Sequence, residues 1–348
     1  MKDFSSEVIN WHKQSGRKNL PWQLNKTPYK VWVSEIMLQQ TRVITVIPYF
    51  KRFIKQFPNV SALARAELDD VLTLWSGLGY YSRARNLHKT ANILKNDYDC
   101  GLPSSINELM TLPGIGRSTA GAIVSLGFNK RACILDGNVK RIVARYKNIR
   151  EDITKSSTLN TLWSISEDLL PKKDFSTFNQ SLMDLGSIIC KRNEPLCNLC
   201  PVSKTCMANL NNTVHLVPFK AKQKRKPLKK VFWLLPFSDS GHIYLIKRPP
   251  YGIWGGLWSF LEYEDLRELI KESKSIFKIT EDSLSKETSL KHSFSHYNLE
   301  AEVYLVNVKS QRCKKQWKKL KDLDNLGMPR PIINVLSSLK IDEKKSIL

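Results

Sequence analysis

The chain of 348 residues has no uninterrupted apolar run near the roughly 20 residues that a membrane-spanning helix requires. Its opening, Met1-Lys2-Asp3-Phe4-Ser5-Ser6-Glu7, lacks the apolar core of a secretory signal. No membrane association is expected, and the cytoplasm is the expected location. Acidic residues are scarce: 32 Asp and Glu stand against 55 Lys and Arg, a net charge of +23. Such an excess favours a polyanionic partner, and nucleic acid is the commonest one inside cells, although a membrane surface or ribosomal RNA satisfies the same sum. Cysteine is sparse outside one segment. Four of the seven lie within residues 190–206, a clustering that argues for metal rather than disulfides. What a core needs is present, with 42% hydrophobic residues and nine Trp. The length has room for two domains, each able to bury its own interior.

The clustered cysteines, Cys190, Cys197, Cys200 and Cys206, follow the spacing C-x6-C-x2-C-x5-C. Four thiolates this close can hold a tetrahedral zinc or a [4Fe–4S] cluster. Zinc ribbons usually carry two C-x2-C pairs and this segment has one, so the spacing favours iron–sulfur.

Residues 112–136 organise the first two thirds of the chain. Leu112-Pro113-Gly114-Ile115-Gly116 predicts a helix that stops, turns tightly and restarts, because Pro fixes one φ and the glycines permit left-handed or closely approached backbone. The restart exposes unpaired N–H groups suited to a phosphate; an ordinary turn between packed helices is the plainer reading. Asp136 opens the next helical run as an N-cap. A capping carboxylate that accepts backbone N–H bonds is expected to stay ionised, with a lowered pKa.

Upstream, residues 29–40 predict a helix in which Glu35 has Val31 and Trp32 one turn before it and Leu38 one turn after. Within such an apolar stripe a carboxyl is desolvated and holds its proton near neutral pH, unless it reaches solvent or pairs with an Arg. Glu35 and Asp136 thus form a candidate pair, one acid and one anion, of the kind that cleaves glycosidic bonds. Gly77-Leu78-Gly79-Tyr80-Tyr81 with Arg83 and Arg85 joins flexible backbone, aromatics and cations. That mixture suits base stacking and phosphate contact, and equally suits core aromatics after a capping glycine.

The basic run 220–230 holds seven Lys and Arg and no acid, and reads as a linker that also touches phosphate. Beyond it the pattern changes to strands at 232–237, 242–247 and 301–308, another strand between 290 and 297, and a helix near 264–272. Residues 341–348 form a polar tail. The expected architecture is a mostly α domain over 1–215 with a cysteine loop at 190–206, a linker over 216–230, and a separate α+β domain over 231–340.

Together these residues resemble the helix-hairpin-helix DNA glycosylases that carry a [4Fe–4S] cluster, and within them the MutY-type adenine glycosylases. The endonuclease III-like branch has a Schiff-base lysine two residues after the hairpin's last glycine, where this chain has Ser118. Ser34-Glu35-Ile36-Met37-Leu38-Gln39-Gln40-Thr41 matches the MutY-branch motif. The resemblance implies two helical subdomains and a C-terminal Nudix- or MutT-like domain. It implies a monomeric, monofunctional enzyme acting on duplex DNA with adenine opposite 8-oxoguanine or guanine, with replication or repair proteins as further partners. It also implies roles. Glu35 and Asp136 are catalytic, and Cys190, Cys197, Cys200 and Cys206 hold one [4Fe–4S] cluster. Gly114 and Gly116 meet the DNA backbone; Gln40 enters the stack near the lesion, Tyr80 acts at the same place, and Leu78 is a further DNA-binding residue. Ser118 and Asn138 line the sugar side. Phe294-Ser295-His296 looks like the family's 8-oxoguanine recognition motif. The Nudix metal box is incomplete: Gly256 and Glu262 have its opening spacing, but the downstream Arg-Glu-x-x-Glu-Glu does not follow, so nucleotide hydrolysis is not expected. A bifunctional pyrimidine glycosylase and a non-enzymatic helix-hairpin-helix protein are the competing readings.

Overall fold

The computed structural model describes residues 3–221, 225–309 and 315–339. Lys222 and Lys224 of the basic run, and the tail 341–348, lie outside the described residues. By contact the chain divides into two units, Met1–Arg65 with Asn86–Gln223, and Ala66–Arg85 with Lys224–Leu348. No helix among the described residues is long and apolar enough to cross a membrane.

The first unit is helical: α1 (Phe4–Ser15), α2 (Pro28–Leu38), α3 (Val43–Gln56) and α4 (Val60–Arg65), then the later part of α6 (Ser82–Asp97), α7 (Ile106–Thr111), α8 (Arg117–Ala122), α9 (Gly137–Tyr146), α10 (Ser156–Asp168), α11 (Phe175–Ile188) and the short α12 (Met207–Leu210). Local signals set the boundaries that matter for the site. Thr27 caps α2 by accepting the Lys30 N–H at 3.2 Å, with Pro28 in the first turn where its missing N–H costs nothing. Asp136 caps α9, accepting from Asn138 N–H at 3.0 Å and Val139 N–H at 2.8 Å. Phe4, Val8, Leu135, Val139, Val143, Leu162, Phe178, Leu182 and Leu185 fuse α1, α9, α10 and α11 into one core. The hairpin forms between α7 and α8. Gly114 sits at φ +82, which a side chain would strain, and Gly116 is the N-cap of α8. The apolar run after the hairpin is not one uniform α-helix: Ile123–Gly127 opens into a π-helical turn that packs against α2.

The second unit is built on a mixed sheet of β1 (Leu228–Ser238), β2 (His242–Tyr244), β5 (Leu261–Tyr263), β6 (Leu284–Ser293), β7 (Asn298–Asn307) and β8 (Trp317–Lys319). The strand order is β6-β7-β1-β2-β8, with β5 also on β1. β1 and β7 are parallel over ten residue pairs and the other pairings are antiparallel. A separate ribbon joins β3 (Ile246–Lys247) to β4 (Trp258–Ser259), and α13 (Leu266–Phe277) packs on β1. Leu234, Tyr244, Leu269, Val306 and Trp317 form a core cluster. β1 starts at Leu228, so the last three residues of the basic segment are strand rather than linker. Likewise β6 ends at Ser293, so Phe294-Ser295-His296 is not strand: it forms the turn of the β6–β7 hairpin, closed by Phe294 N–H on Tyr297 C=O at 2.9 Å. This unit also contains α5 (Leu68–Trp75), the following loop and the start of α6, together with α14 (Arg330–Ser338) near the C-terminus.

Candidate active site and cysteine cluster

A cavity of about 480 Å³ opens in the first unit between α2, the start of α8 and the start of α9. That is within the usual size of a small-ligand pocket. Its lining includes Glu35, Gln40, Ser118, Asp136 and Asn138, so five residues singled out from scattered stretches of sequence meet at one place. Trp22, Arg17, Gln39, Gln180 and Met183 share the wall; none of these was among the residues expected at the site.

Glu35 projects from the α2 face whose neighbours Val31 and Trp32 are buried. Burial, seconded by the charge of Asp136, pushes its carboxyl from 4.5 up to about 8. The apolar stripe therefore acts as expected. Asp136 behaves differently from expectation. Its cap bonds from Val139 and Asn138 do lower its pKa, but burial is the larger effect and the net direction is upward. The sequence showed the cap and not the walls around it. The asymmetry between the two carboxyls survives in their donors. Asp136 accepts two backbone N–H bonds and a third from Asn138 Nδ2 at 3.2 Å, all of which stabilise an anion. Glu35 lies on the helix face of the buried Val31 and Trp32, where burial favours its neutral form.

Ser118 Oγ accepts the Leu135 N–H at 3.2 Å, tying the first turn of α8 to the segment that leads into Asp136. Asn138 is held from the far side by Arg141, whose Nη2 donates to Asn138 Oδ1 at 3.0 Å and to Gly186 C=O at 2.6 Å, while its Nε donates to Cys190 C=O at 2.7 Å. Deeper in the wall, the fully buried Asp184 accepts from Arg17 through the backbone N–H, Nε and Nη2 and from Gln180 Nε2 at 3.1 Å. Burial opposes its charge, but the donors from His12 and Arg17 hold its carboxyl below the usual range. Gln180's donors are thus partly committed to Asp184 at the pocket wall. No pattern in the sequence marked Asp184, because a helix Asp on an apolar face looks like any other until its partners are seen.

Gln40 is exposed with φ +57. Tyr80, in the second unit, is 47% exposed with φ +49, whereas Leu78 beside it is 6% exposed and packs inward. Phe294 is wedged among Trp254, His292 and Tyr297, with ring centroids 5.3, 4.6 and 4.7 Å away. Ser295 and His296 are the exposed members of the hairpin tip, joined Oγ to Nδ1 at 3.1 Å.

Cys190, Cys197, Cys200 and Cys206 are free thiols that line a single apolar cavity beside Arg145. Among the described residues, no group of three or more His, Cys, Asp or Glu converges as a metal site. The four thiols and their common cavity are nevertheless the donor set a thiolate-bound cluster needs. Burial raises the thiols of Cys197, Cys200 and Cys206, that of Cys200 to about 12. Arg145, itself buried, braces the loop by donating to the carbonyls of Lys191, Arg192 and Val217 and to Cys190 Sγ at 3.3 Å.

Comparison with known proteins agrees with this anatomy. Residues 33–168 match the HhH-GPD superfamily of base excision DNA repair proteins, and residues 232–338 match the NUDIX domain. The adenine DNA glycosylase of Buchnera aphidicola subsp. Baizongia pistaciae is 41% identical over 345 residues, covering 97% of each chain. The human adenine DNA glycosylase is 30% identical over 371 residues, covering 88% of this chain and 67% of that one. Among solved structures, a thermostable thymine-DNA glycosylase superposes with a TM-score of 0.54 at 27% identity, covering 60% of this chain and 95% of its own. A helical glycosylase fold with two carboxyls in one cavity, followed by a Nudix-like sheet, defines a helix-hairpin-helix base-excision glycosylase with an appended Nudix-like domain. The chain belongs to the adenine DNA glycosylase family.

Proposed function

We propose that the protein removes adenine mispaired with 8-oxoguanine or guanine from duplex DNA, hydrolysing the bond between N9 and the deoxyribose C1′ and leaving an abasic site. The observation that carries this reading is the meeting of Glu35 and Asp136 in one cavity, with environments that bias the first towards its acid form and furnish the second with anion-stabilising donors.

The target base leaves the stack to reach side chains at that depth. Glu35 gives its proton to the adenine, at N7, so the bond to C1′ breaks with its electrons on a neutral leaving group. Positive charge develops on the sugar, where Asp136 opposes it. Water then adds to C1′, and its surplus proton restores the acid. Ser118 occupies the position that carries a lysine in the lyase branch and has no amine with which to form a Schiff base. Gln40 and Tyr80, each held in a left-handed conformation that projects an exposed side chain, are suited to occupy the gap near the lesion. Leu78 would contact DNA only by leaving its buried position. Gly114 and Gly116 leave backbone N–H groups open to phosphate, and Ser295 and His296 offer hydrogen-bonding groups to the opposite base.

The four cysteines would hold one [4Fe–4S] cluster, which would brace the basic loop that contains Lys191, Arg192 and Lys204 against phosphates. The hydrolysis transfers no electron.

The test is single-turnover strand analysis on duplexes with adenine opposite 8-oxoguanine, guanine and thymine, with and without alkali. Scission confined to the mispaired adenine, and appearing only after alkali, is expected. Scission without alkali, or at an oxidised pyrimidine in a companion duplex, would place the activity in the lyase branch. Binding without base release would remove Glu35 as the acid and Asp136 as the anion of the reaction.

A further inference from the structure

The loop with Tyr80 belongs by contact to the C-terminal unit, although in sequence it lies within residues 33–168, which match the HhH-GPD superfamily. Three observations show how it is held. Leu72 of α5 sits in a notch made by Gly256 and Gly327: a Cβ on Gly327 would lie 3.2 Å from both the Leu72 carbonyl carbon and its Cβ, and a Cβ on Gly256 would lie 3.2 Å from Leu72 Cδ1. Gly327 is itself fixed to the Nudix-like fold, because its carbonyl accepts the Trp258 N–H at 2.9 Å. The next residue, Met328, then receives the loop. Its carbonyl accepts from Ser76 Oγ at 2.9 Å and from Tyr81 Oη at 2.8 Å, and its N–H donates to Ser76 Oγ at 3.3 Å.

Tyr81 is placed to do more than fill space. Its ring is 5% exposed, and its hydroxyl, besides donating to Met328, accepts the Gly77 N–H at 3.0 Å. One phenol oxygen therefore ties the first residue of the loop to the C-terminal fold. The other side of the loop is closed by Trp75 Nε1 and Arg83 Nη2, each donating to the Gly79 carbonyl at 3.1 Å. Between these two clamps the backbone turns through positive φ at Gly77, Gly79 and Tyr80, and Tyr80 is left as the exposed side chain. A left-handed non-glycine residue is held there by its surroundings rather than by its own preference.

We propose that Tyr81 is a positioning residue: through the Met328 carbonyl it makes the Nudix-like domain set the conformation of the loop that presents Tyr80, so that domain influences mispair selection through this loop as well as through its own hairpin tip. The inference rests on the function proposed above. It needs no movement of one unit against the other, since loop and dock lie in the same unit.

The test uses the full chain as wild type, Tyr81→Phe, Tyr80→Ala and the double variant. Single-turnover adenine release is measured opposite 8-oxoguanine and opposite guanine, with 2-aminopurine fluorescence beside the mispair reporting insertion. Tyr81→Phe keeps the buried ring and loses two hydrogen bonds, so its melting curve is expected to stay cooperative. The selectivity ratio between the two mispairs is expected to fall about fivefold, the scale of one to two ordinary hydrogen bonds. In the Tyr80→Ala background the same change is expected to alter the ratio less than about twofold, because a residue that acts through Tyr80 has nothing left to position. A merely structural role would move melting and leave the two changes independent. If Tyr81→Phe does not fold, Ser76→Ala removes the companion donor to the same carbonyl and is expected to lower the ratio in the same way. A selective wild type with an unchanged ratio in Tyr81→Phe, or effects of Tyr81→Phe and Tyr80→Ala that multiply, would overturn the proposal alone. A wild type that releases no adenine would overturn the proposed function and this inference with it.

Discussion

Replacing Glu35 by Gln keeps the shape of the side chain and removes its capacity to ionise, which separates its catalytic use from its cost to the fold. Burial and the neighbouring Asp136 raise the Glu35 carboxyl from 4.5 to about 8, which corresponds to about 5 kcal/mol in favour of the neutral form. The sign follows from linkage. Below about pH 4.5 the side chain is protonated whether the chain is folded or unfolded, and it contributes nothing. Between about 4.5 and 8 the unfolded chain ionises it while the folded chain keeps the proton, so stability declines steadily as pH rises; above about 8 the loss is complete. At pH 7 the loss is about 3 kcal/mol. Gln has no such dependence. The melting temperature of Glu35→Gln should therefore exceed that of wild type by several degrees at pH 7 to 8, with the gap closing towards pH 5. Adenine release by the variant should fall by about 10³-fold, the usual worth of a positioned general acid. In wild type the single-turnover rate should fall about tenfold per pH unit above about 8 as the acid form is lost. Scanning calorimetry over pH 5 to 8, paired with the pH–rate profile, tests both halves. A melting gap that stays constant with pH would show that Glu35 ionises normally in the folded protein. Strong residual release by the variant would remove it as the acid.

Three other perturbations probe the rest of the site. Asp136→Asn keeps a good N-cap for α9 but removes the charge that helps to raise Glu35, so the residual activity should be low and its alkaline limb should move to lower pH; an unmoved limb would show that burial alone sets the Glu35 pKa. Gly186→Ala would place a Cβ 2.5 Å from Asn138 Cβ, pushing the first turn of α9 and the Asp136 cap. Adenine release should fall at least about tenfold with mispair binding retained, and normal single-turnover kinetics would show that the contact relaxes harmlessly. Arg145→Met leaves the carbonyls of Lys191, Arg192 and Val217 without this donor and should cost about 3 kcal/mol or more by denaturant titration; the visible absorbance expected of the proposed iron–sulfur cluster, compared between wild type and the purified variant, would report whether the cysteine loop closes without its brace.

What the sequence made legible was whatever depends on local pattern. Pro113, Gly114 and Gly116 can form little else but a tight reversal, four closely spaced thiols announce a thiolate site, and Glu35 lies on a helical stripe that can be counted from its neighbours. What escaped was whatever depends on non-local enclosure. The Asp136 cap could be read from Asp-Gly-Asn-Val, and the conclusion that the carboxyl's pKa would be lowered followed from it, yet burial outweighs the cap bonds because α2 and α8 wall the same cavity. Leu78 stands on backbone read as flexible and was expected among the DNA-binding residues; its side chain turns inward and leaves Tyr80 to project. Phe294 sits inside the motif that resembles a base reader, but its ring serves an aromatic cluster around Trp254, leaving Ser295 and His296 at the surface. Most of all, no local signal relates residues 66–85 to Gly327 and Met328, some 250 positions away. Two small residues and one carbonyl make that dock, and a glycine that matters because a distant leucine needs its space reads in sequence like any loop glycine. The two kinds of residue divide the labour in the fold. In the proposed function the chemistry falls to groups whose own type gives them away, and in the proposed role of Tyr81 selection among mispairs falls to groups whose significance lies in what they touch. The Tyr81→Phe measurement bears on that division directly: a buried phenol should change which mispair is chosen, and should do so only while Tyr80 is there to be positioned.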